Sequence, residues 1–306
     1  MNDFFNSGFI YIRSQHITPR IKYGIDAKKS NFWRLKIVIT EKLNNITHIN
    51  NSSFDISITK EDYYKLIYCE SELFLNKSYI QYHDYKKMLD NSSGSWSFVT
   101  LYYFLFFNLC CLFRFCDRGF VHLTQEYTRK LENAHLALYS LPVSISEGNY
   151  FFQKSTIDQY GNVILNFKKA KTTHQAIWSE FEKILSILIS KSSDKELAIY
   201  TTMLSHLNSF NSSYASTLRN DLNYNAETIM LDFNNQITCY ELMDLNESFY
   251  QSFLKIDEHQ DTLTNKIKSI THISNFIYNL NFELANEFYN RSSYGRDFIK
   301  MRKIIT

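Results

Sequence analysis

Residues 96–113 read WSFVTLYYFLFFNLCCLF, and this stretch decides the fold class that we predict for the chain. It carries no charged residue, and it has the length at which a membrane-spanning helix must be considered. Ser97, Thr100 and Asn108 are spread along it, and its aromatic residues fill the middle, whereas spanning helices concentrate aromatic residues at the interface. A helix that is apolar all round is also typical of the centre of a large bundle. We therefore predict a buried core helix, with a membrane span as the alternative.

Apolar residues at helical spacing on the C-terminal side of this run predict a bundle around it. The clearest stripe comprises Ile177, Trp178, Phe181, Ile184, Leu185 and Leu188. Similar spacing predicts helices over residues 123–139, 197–207, 218–222 and 267–284, with an extended segment and a turn at 143–166. Asn91-Ser-Ser-Gly-Ser95 separates the bundle from the residues before it.

The first ninety residues show a different pattern. Apolar and polar residues alternate at 33–39 and at 54–58, which predicts half-buried strands, and Phe9–Ile12 adds a third candidate. Thr59-Lys-Glu-Asp62 resembles a capping box that opens a short helix to Cys69. The predicted fold class is therefore mainly α, a helical bundle with a small N-terminal α+β module. The module, of unknown role, covers 1–90, and the bundle covers 91–306, with a core at 92–226 and a C-terminal helical extension at 240–306.

Composition narrows the class of protein further. The chain has 306 residues, of which 7 are Gly and 2 are Pro, and so few helix-breaking residues favour long helices. Its five cysteines form no C-x-x-C pair, and no histidine lies at a zinc-ligand spacing from any of them. We therefore expect free thiols, a reducing compartment and no metal site. The first residues lack the basic and apolar regions of a signal peptide, which predicts a cytoplasmic protein.

The chain contains no Gly-rich phosphate loop, no Gly-x-Ser-x-Gly and no His-Glu-x-x-His motif, so we expect no nucleotide cofactor. The net charge of +2 does not indicate a nucleic-acid partner by itself. Basic residues nevertheless cluster in two regions. Candidates for phosphate contacts are Arg20, Lys22, Lys28 and Lys29 in the N-terminal region, with Arg114 and Arg118 after the apolar run, and the C-terminus is basic as well. A solvated basic face is the competing interpretation.

Two segments together resemble the HEPN superfamily, the helical domains of prokaryotic toxins, CRISPR-associated nucleases and abortive-infection proteins. The first is residues 96–114, in which the pair Tyr102-Tyr103 precedes an aromatic run that ends near Gly119. The second, residues 213–224, reads SYASTLRNDLNY and is similar to the family helix that carries an Arg, a polar residue and then a His or Tyr.

The resemblance implies metal-independent cleavage of RNA at an Arg-x(4–6)-His element that is completed across a homodimer. An Arg would clamp the phosphate, and a base would take the proton of the ribose 2′-OH. The matching residues are Arg219, Asn220, Asn223 and Tyr224, but the motif is degenerate because no His follows Arg219 at the required spacing. His174 is the candidate replacement from elsewhere in the chain. In the competing structural interpretation, Arg219 pairs with neighbouring polar groups, Tyr224 packs with its hydroxyl satisfied, and His174 only starts a helix.

These observations leave three functions open. The first is an RNA-directed, HEPN-like effector of a prokaryotic antiviral defence or toxin system that acts as an endoribonuclease. The second is a non-catalytic helical module that binds nucleic acid or a partner protein in a multi-subunit defence complex. The third is a membrane-perturbing effector built on residues 96–113.

Overall fold

The apolar run forms the central helix of the protein, α4, over Gly94–Phe115. Ser93 caps its first turn by accepting a hydrogen bond from the backbone N–H of Trp96 at 3.3 Å. Among the described residues, α4 is the one helix whose length and composition would allow it to cross a membrane. However, 78% of its most apolar window is buried inside the protein. α4 is therefore the core helix of a fold that is consistent with a soluble protein.

The computed structural model describes residues 3–23, 32–89, 93–170 and 173–291. Besides α4, the α-helices in these ranges are α1 Ser7–Ile12, α2 Leu35–Glu41, α3 Lys60–Leu89, α5 Gln125–Tyr139, α6 Thr173–Ile189, α7 Asp194–Ser209, α8 Tyr214–Tyr224, α9 Ile229–Phe233, α10 Glu247–Leu254 and α11 Leu263–Arg291. The long helices α3 and α11 pack along α4, and α8 also contacts it.

The predicted fold class is wrong, because the protein also contains a five-stranded antiparallel sheet and is a mixed α/β fold rather than a helical bundle. Helices make up 65% of it. The strands are β1 Leu43–Asn50, β2 Ser53–Thr59, β3 Arg118–Leu123, β4 Gly148–Ile157 and β5 Asn162–Lys169. Their order in the sheet is β1-β2-β5-β4-β3. The N-terminal hairpin thus pairs with strands from the centre of the chain, and the sheet crosses the boundary predicted at residue 90.

The buried apolar residues form two clusters, one among the helices around α4 and one beside the sheet. The first cluster fills the helical part around α4, α6, α7 and α11, and all six residues of the stripe that begins at Ile177 belong to it. The second fills the space between the sheet and α2, α5 and the first turns of α3. In it, Phe54 of β2 and Phe167 of β5 stack with ring centroids 4.9 Å apart.

Two N-terminal strand predictions are also wrong. Residues 35–41 form α2, because Leu35, Val38 and Ile39 have helical spacing and all three are buried. Phe9–Ile12 belongs to α1, whose first turn is held by the carboxylate of Glu196, which accepts the backbone N–H groups of Gly8 and Phe9.

Other predictions are confirmed. β2 contains residues 54–58, and α6, α7, α8 and α11 contain the predicted apolar stripes. The extended segment and turn at 143–166 correspond to the β4–β5 hairpin. At the start of α3, Thr59 Oγ1 accepts the backbone N–H of Asp62 at 3.1 Å, as a capping residue should. α3 then continues to Leu89, well past the predicted end at Cys69.

Candidate functional site

The candidate site is centred on Arg219, which lies in α8 where this helix packs against α4. Its side chain is buried, with 6% of the residue exposed. The guanidinium lies over the two tyrosine rings of α4, with its carbon 5.2 Å from the ring centroid of Tyr102 and 5.4 Å from that of Tyr103. Stacking on aromatic faces favours a cation in a partly desolvated position. The tyrosine pair of residues 96–114 therefore contacts the arginine of residues 213–224.

His174, in the first turn of α6, completes this arrangement. Its Nε2 atom lies 3.3 Å from Arg219 Nη2, and its Nδ1 atom lies 2.6 Å from the hydroxyl oxygen of Tyr102. The imidazole also packs against Phe106, with ring centroids 4.9 Å apart. Both ring nitrogens thus have polar partners, and the imidazole has a defined orientation.

These partners determine the protonation state of His174. A guanidinium can only donate hydrogen bonds, so Nε2 must accept and the ring proton is on Nδ1, which donates to Tyr102. Burial lowers the pKa of His174 below its ordinary value, and the positive charge of Arg219 lowers it further. His174 is therefore a neutral imidazole at neutral pH, the form that a general base requires.

Tyr102 is a positioning group for this imidazole. Burial raises the pKa of Tyr102 to about 12, although a hydrogen bond with Ser216 and the charge of Arg219 act in the opposite direction. The phenol is therefore protonated at neutral pH. It accepts from His174 Nδ1 and fixes the ring tautomer, as a carbonyl or carboxylate does for many catalytic histidines.

Of the other two nitrogens of the Arg219 guanidinium, one has a hydrogen-bond partner and one has none. Its Nη1 donates to the side-chain oxygen of Asn220 at 2.7 Å. Its Nε is buried and has no hydrogen-bond partner among the described residues. A buried N–H without a partner carries a desolvation cost, which an anion bound at this face would relieve.

The structure brings together three of the five predicted catalytic residues, namely Arg219, Asn220 and His174. Tyr224 is the last residue of α8 and is 80% exposed, and no hydrogen bond joins it or the half-buried Asn223 to this group within the described ranges. Sequence reasoning missed Tyr102 and Ser216 as members of the site. The Tyr102-Tyr103 pair is part of the sequence resemblance, but no local pattern connects it with His174.

The predicted phosphate contacts lie in several different environments. Arg20 donates to Asp117 at 2.7 Å, Arg114 donates to Glu70 at 2.6 Å, and Arg118 lies 3.5 Å from Glu180. All three are internal ion pairs, so we do not place these arginines on an RNA surface. Lys22 is exposed, and Lys28 and Lys29 lie outside the described residues.

The pairing of Arg20 belongs to a larger buried group around Asp117, just after the end of α4. The Asp117 carboxylate accepts hydrogen bonds from Arg20, His16 and Tyr63, and Lys154 Nζ is 3.6 Å away. The cations hold the pKa of Asp117 well below its ordinary value, against the opposing effect of burial. This network ties the N-terminal segment to the junction of α4, the sheet and α3.

In the described ranges, no group of three or more His, Cys, Asp or Glu side chains is arranged to hold a metal ion. Four of the five cysteines are buried core residues, and Cys239 is partly buried. Burial raises the pKa of the Cys110 and Cys116 thiols to about 12, so both are unreactive thiols at neutral pH.

No protein-family model, curated protein or solved structure matches this chain.

Proposed function

We propose that the chain is an RNA-directed effector whose Arg219–His174 pair cleaves RNA without a metal ion. The observation that supports this proposal is the 3.3 Å contact between Arg219 Nη2 and His174 Nε2, in which a neutral imidazole and a permanent cation share one site. Cleavage by 2′-OH attack needs these two groups, a base for the hydroxyl and a cation for the charged phosphorane.

The proposed reaction proceeds in one displacement. When RNA binds, the scissile phosphate takes the Arg219 Nη2–H and the unpartnered Nε–H as a bidentate clamp. This frees the lone pair of His174 Nε2, which removes the proton of the adjacent ribose 2′-OH. The 2′-oxygen then bonds to phosphorus as the bond from phosphorus to the 5′-oxygen breaks. The products are a 2′,3′-cyclic phosphate and a 5′-hydroxyl, whose oxygen takes its proton from water. The hydroxide that remains takes the proton from His174 Nε2, which restores the neutral imidazole.

The resemblance to HEPN proteins supports the biological setting of the proposal. We infer a cytoplasmic effector of a prokaryotic antiviral defence or toxin system that works as a homodimer or with a partner protein of a defence complex. A twofold dimer that places two α8 helices face to face would bring two Arg219 groups to one RNA strand.

A second candidate function is supported by the same contact. In the free protein, His174 Nε2 accepts a hydrogen bond from the Arg219 guanidinium, and Nδ1 is hydrogen-bonded to Tyr102. Neither ring nitrogen is then available for a further hydrogen bond. If this arrangement persists on binding, the site holds RNA or a partner protein and performs no chemistry. RNA that is bound but not cut would identify this function.

Purified protein should be incubated with RNA in the presence of EDTA, and the products analysed for 2′,3′-cyclic phosphate ends. We expect cleavage by the wild type, loss of cleavage in His174→Ala and Arg219→Gln, and wild-type activity in Arg129→Gln, which replaces an exposed arginine of α5. Melting temperatures recorded on each sample separate loss of chemistry from loss of fold. The ribonuclease proposal fails if His174→Ala remains fully active, or if EDTA abolishes cleavage.

In cells, expression of the wild type should slow growth and degrade total RNA, and His174→Ala should remove both effects. Light scattering at tens of micromolar protein tests the homodimer. A monomer at that concentration would contradict the twofold arrangement.

A further inference from the structure

The central helix α4 has an unusual solvent side. Between residues 96 and 115, all of which the structure describes, the side chains that are not fully buried are Trp96, Tyr103, Phe106 and Phe107. All four are aromatic, and their spacing around Tyr103 places them on one side of the helix. We call these four residues the aromatic face of α4. Contiguous exposed apolar surface commonly marks an interaction site in a soluble protein.

The aromatic face adjoins the Arg219–His174 site. Phe106 packs against His174 with ring centroids 4.9 Å apart, and the Arg219 guanidinium carbon is 5.4 Å from the ring centroid of Tyr103. Trp96 lies about two helical turns before Tyr103, roughly 10 Å along the axis of α4. A strand whose phosphate is held by Arg219 would therefore pass along this face.

Cations border the aromatic face on the side of α3. Lys77 Nζ lies 5.1 Å from the ring centroid of Phe107, and Lys77 is exposed and has no ion pair within the described ranges. Residues 77–89 of α3 contain three lysines and a single acidic residue, Asp84. This half of α3 therefore carries an excess of positive charge that suits a polyanion.

The other two lysines lie near Trp96. The hydroxyl of Ser97 donates to the carbonyl oxygen of Met88 at 3.3 Å, so the end of α3 lies beside the first turn of α4. Lys86 and Lys87 directly precede Met88, and both are exposed. Phosphate groups of a strand that reaches Trp96 would thus meet positive charge there as well.

Trp96 differs from the other members of the aromatic face. Arg219 lies over the Tyr103 ring and Lys77 lies over the Phe107 ring, whereas no cation or aromatic ring contacts the indole of Trp96 in the part of the chain that the structure describes. Trp96 is also 62% exposed. An uncovered indole next to cations can stack on a nucleic-acid base, and such stacking tolerates any base because every base has a π face.

We propose that the aromatic face binds single-stranded RNA, with a base that flanks the scissile phosphate stacked on Trp96. This inference rests on the proposed function, because it takes Arg219 as the ligand of the scissile phosphate. It adds the substrate class, which is RNA that is unpaired beside the cleaved bond and of almost any sequence. Paired bases are stacked inside a duplex and leave no free face for the indole.

Tryptophan fluorescence tests this stacking with single-stranded 2′-O-methyl oligonucleotides, which lack the attacking hydroxyl and stay uncleaved. The other tryptophans are Trp178, which is buried, and Trp33, which is half-buried. We expect the oligonucleotides to quench the emission of the wild type, and Trp96→Phe to bind them while losing this quenching. A 2′-O-methyl duplex of the same sequence should bind at least about tenfold more weakly.

Affinity measurements by fluorescence anisotropy of a labelled oligonucleotide complete the test. Trp96→Ala should weaken binding about tenfold or more, the usual effect of removing one stacked base, without lowering the melting temperature because the ring is exposed. Tyr160→Ala is the matched control, since Tyr160 is an aromatic residue of the β4–β5 turn that is 80% exposed, and it should bind as the wild type does.

Wild-type affinity in Trp96→Ala, or equal weakening by Tyr160→Ala, refutes the proposal. It is also refuted if the emission of Trp96 responds to protein concentration and not to RNA, because the aromatic face would then join two copies of the chain. Cleavage assays separate this result from the ribonuclease proposal. RNA that is cut by the wild type and bound normally by Trp96→Ala refutes the stacking alone, whereas stacking without cleavage refutes the ribonuclease activity alone.

Discussion

Arg219 and His174 are 45 residues apart in sequence, and their side chains meet at 3.3 Å between Nη2 and Nε2. The contact exists because α6 and α8 both pack beside the tyrosine pair of α4, with Tyr102 holding the other ring nitrogen of His174. An arginine and a histidine can therefore form one site although they belong to different helices.

The first prediction concerns the pKa of His174. Replacement of Arg219 by Gln removes the adjacent positive charge, so the pKa of His174 should rise toward its ordinary value of 6.5. NMR titration of the imidazole C–H resonance, assigned through His174→Ala, measures this pKa. Arg129→Gln is the control and should leave it unchanged. A pKa that is insensitive to Arg219 would mean that the two side chains do not meet in solution.

The second prediction concerns the buried ion pairs of Asp117. Asp117→Asn keeps the size of the side chain and tolerates the left-handed backbone at this position, where φ is 60°. It removes the charge that balances the buried Arg20, so we expect a loss of about 3 kcal/mol in the free energy of unfolding. Urea denaturation measures the loss. Glu126→Gln breaks the exposed pair with Lys130 and should leave the free energy of unfolding almost unchanged. Equal losses in the two variants would contradict the structural role of Asp117.

The third prediction compares two glycines. A Cβ atom at Gly119 would lie 1.4 Å from Arg114 Nη1, so Gly119→Ala must displace the guanidinium and break its hydrogen bonds to the carbonyl oxygens of Arg118 and Phe120. We expect Gly119→Ala to lower the free energy of unfolding by about 3 kcal/mol or more. Gly161 has a φ of 83° and open space around it, so Gly161→Ala should cost only about 1 kcal/mol of backbone strain. Similar melting temperatures for the two variants would exclude the close approach of Arg114.

The fourth prediction is a loss of stability in acid. Burial is the main cause that lowers the pKa of His272 from its ordinary value of 6.5 to about 4, and the nearby Lys268 and His206 contribute to the same shift. Between these values the unfolded chain binds a proton that the folded chain does not. Stability is therefore fully present above pH 6.5 and falls as the pH decreases toward 4, by up to about 3 kcal/mol for this group.

Urea midpoints at pH 7.5 and pH 5 measure this effect. His272→Gln should reduce the difference between the two midpoints, because the variant has no group to titrate at this position. His259→Gln serves as the control, since His259 is the exposed histidine of a loop and its side chain is 85% accessible. A wild-type difference that persists in His272→Gln would assign the acid sensitivity to other groups.

The sequence predicts the long helices well because their signals are strong and local. α4 begins after Ser93 and ends just before Asp117, close to the ends of the apolar run, and the six-residue stripe of α6 is buried throughout. The short element α2 could not be identified, because Leu35, Ile37 and Ile39 fit an alternating pattern while Leu35, Val38 and Ile39 fit a helical one.

The sheet and the candidate site were harder to predict for a different reason. β3 has only six residues, too few to reveal a period next to the end of α4, and the pairing of β2 with β5 depends on contacts that are distant in sequence. The motif-like segment 213–224 identifies Arg219. His174 is a candidate because it is the histidine of the sequence that lies near a predicted motif. Their distance from each other is set by the packing of three helices, which no local pattern contains.

The strand order has a consequence for the folding of this protein during its synthesis on the ribosome. Asn166 of β5 donates to Asp55 of β2, 111 residues earlier in the chain. At ordinary translation speeds, the first hairpin waits roughly 5 to 20 seconds for its partner to be synthesised. During that time the inner edge of β2 and the ring of Phe54 have no native cover. The nascent chain is therefore most exposed to aggregation in the interval before β5 emerges, and chaperone binding during synthesis should be concentrated there.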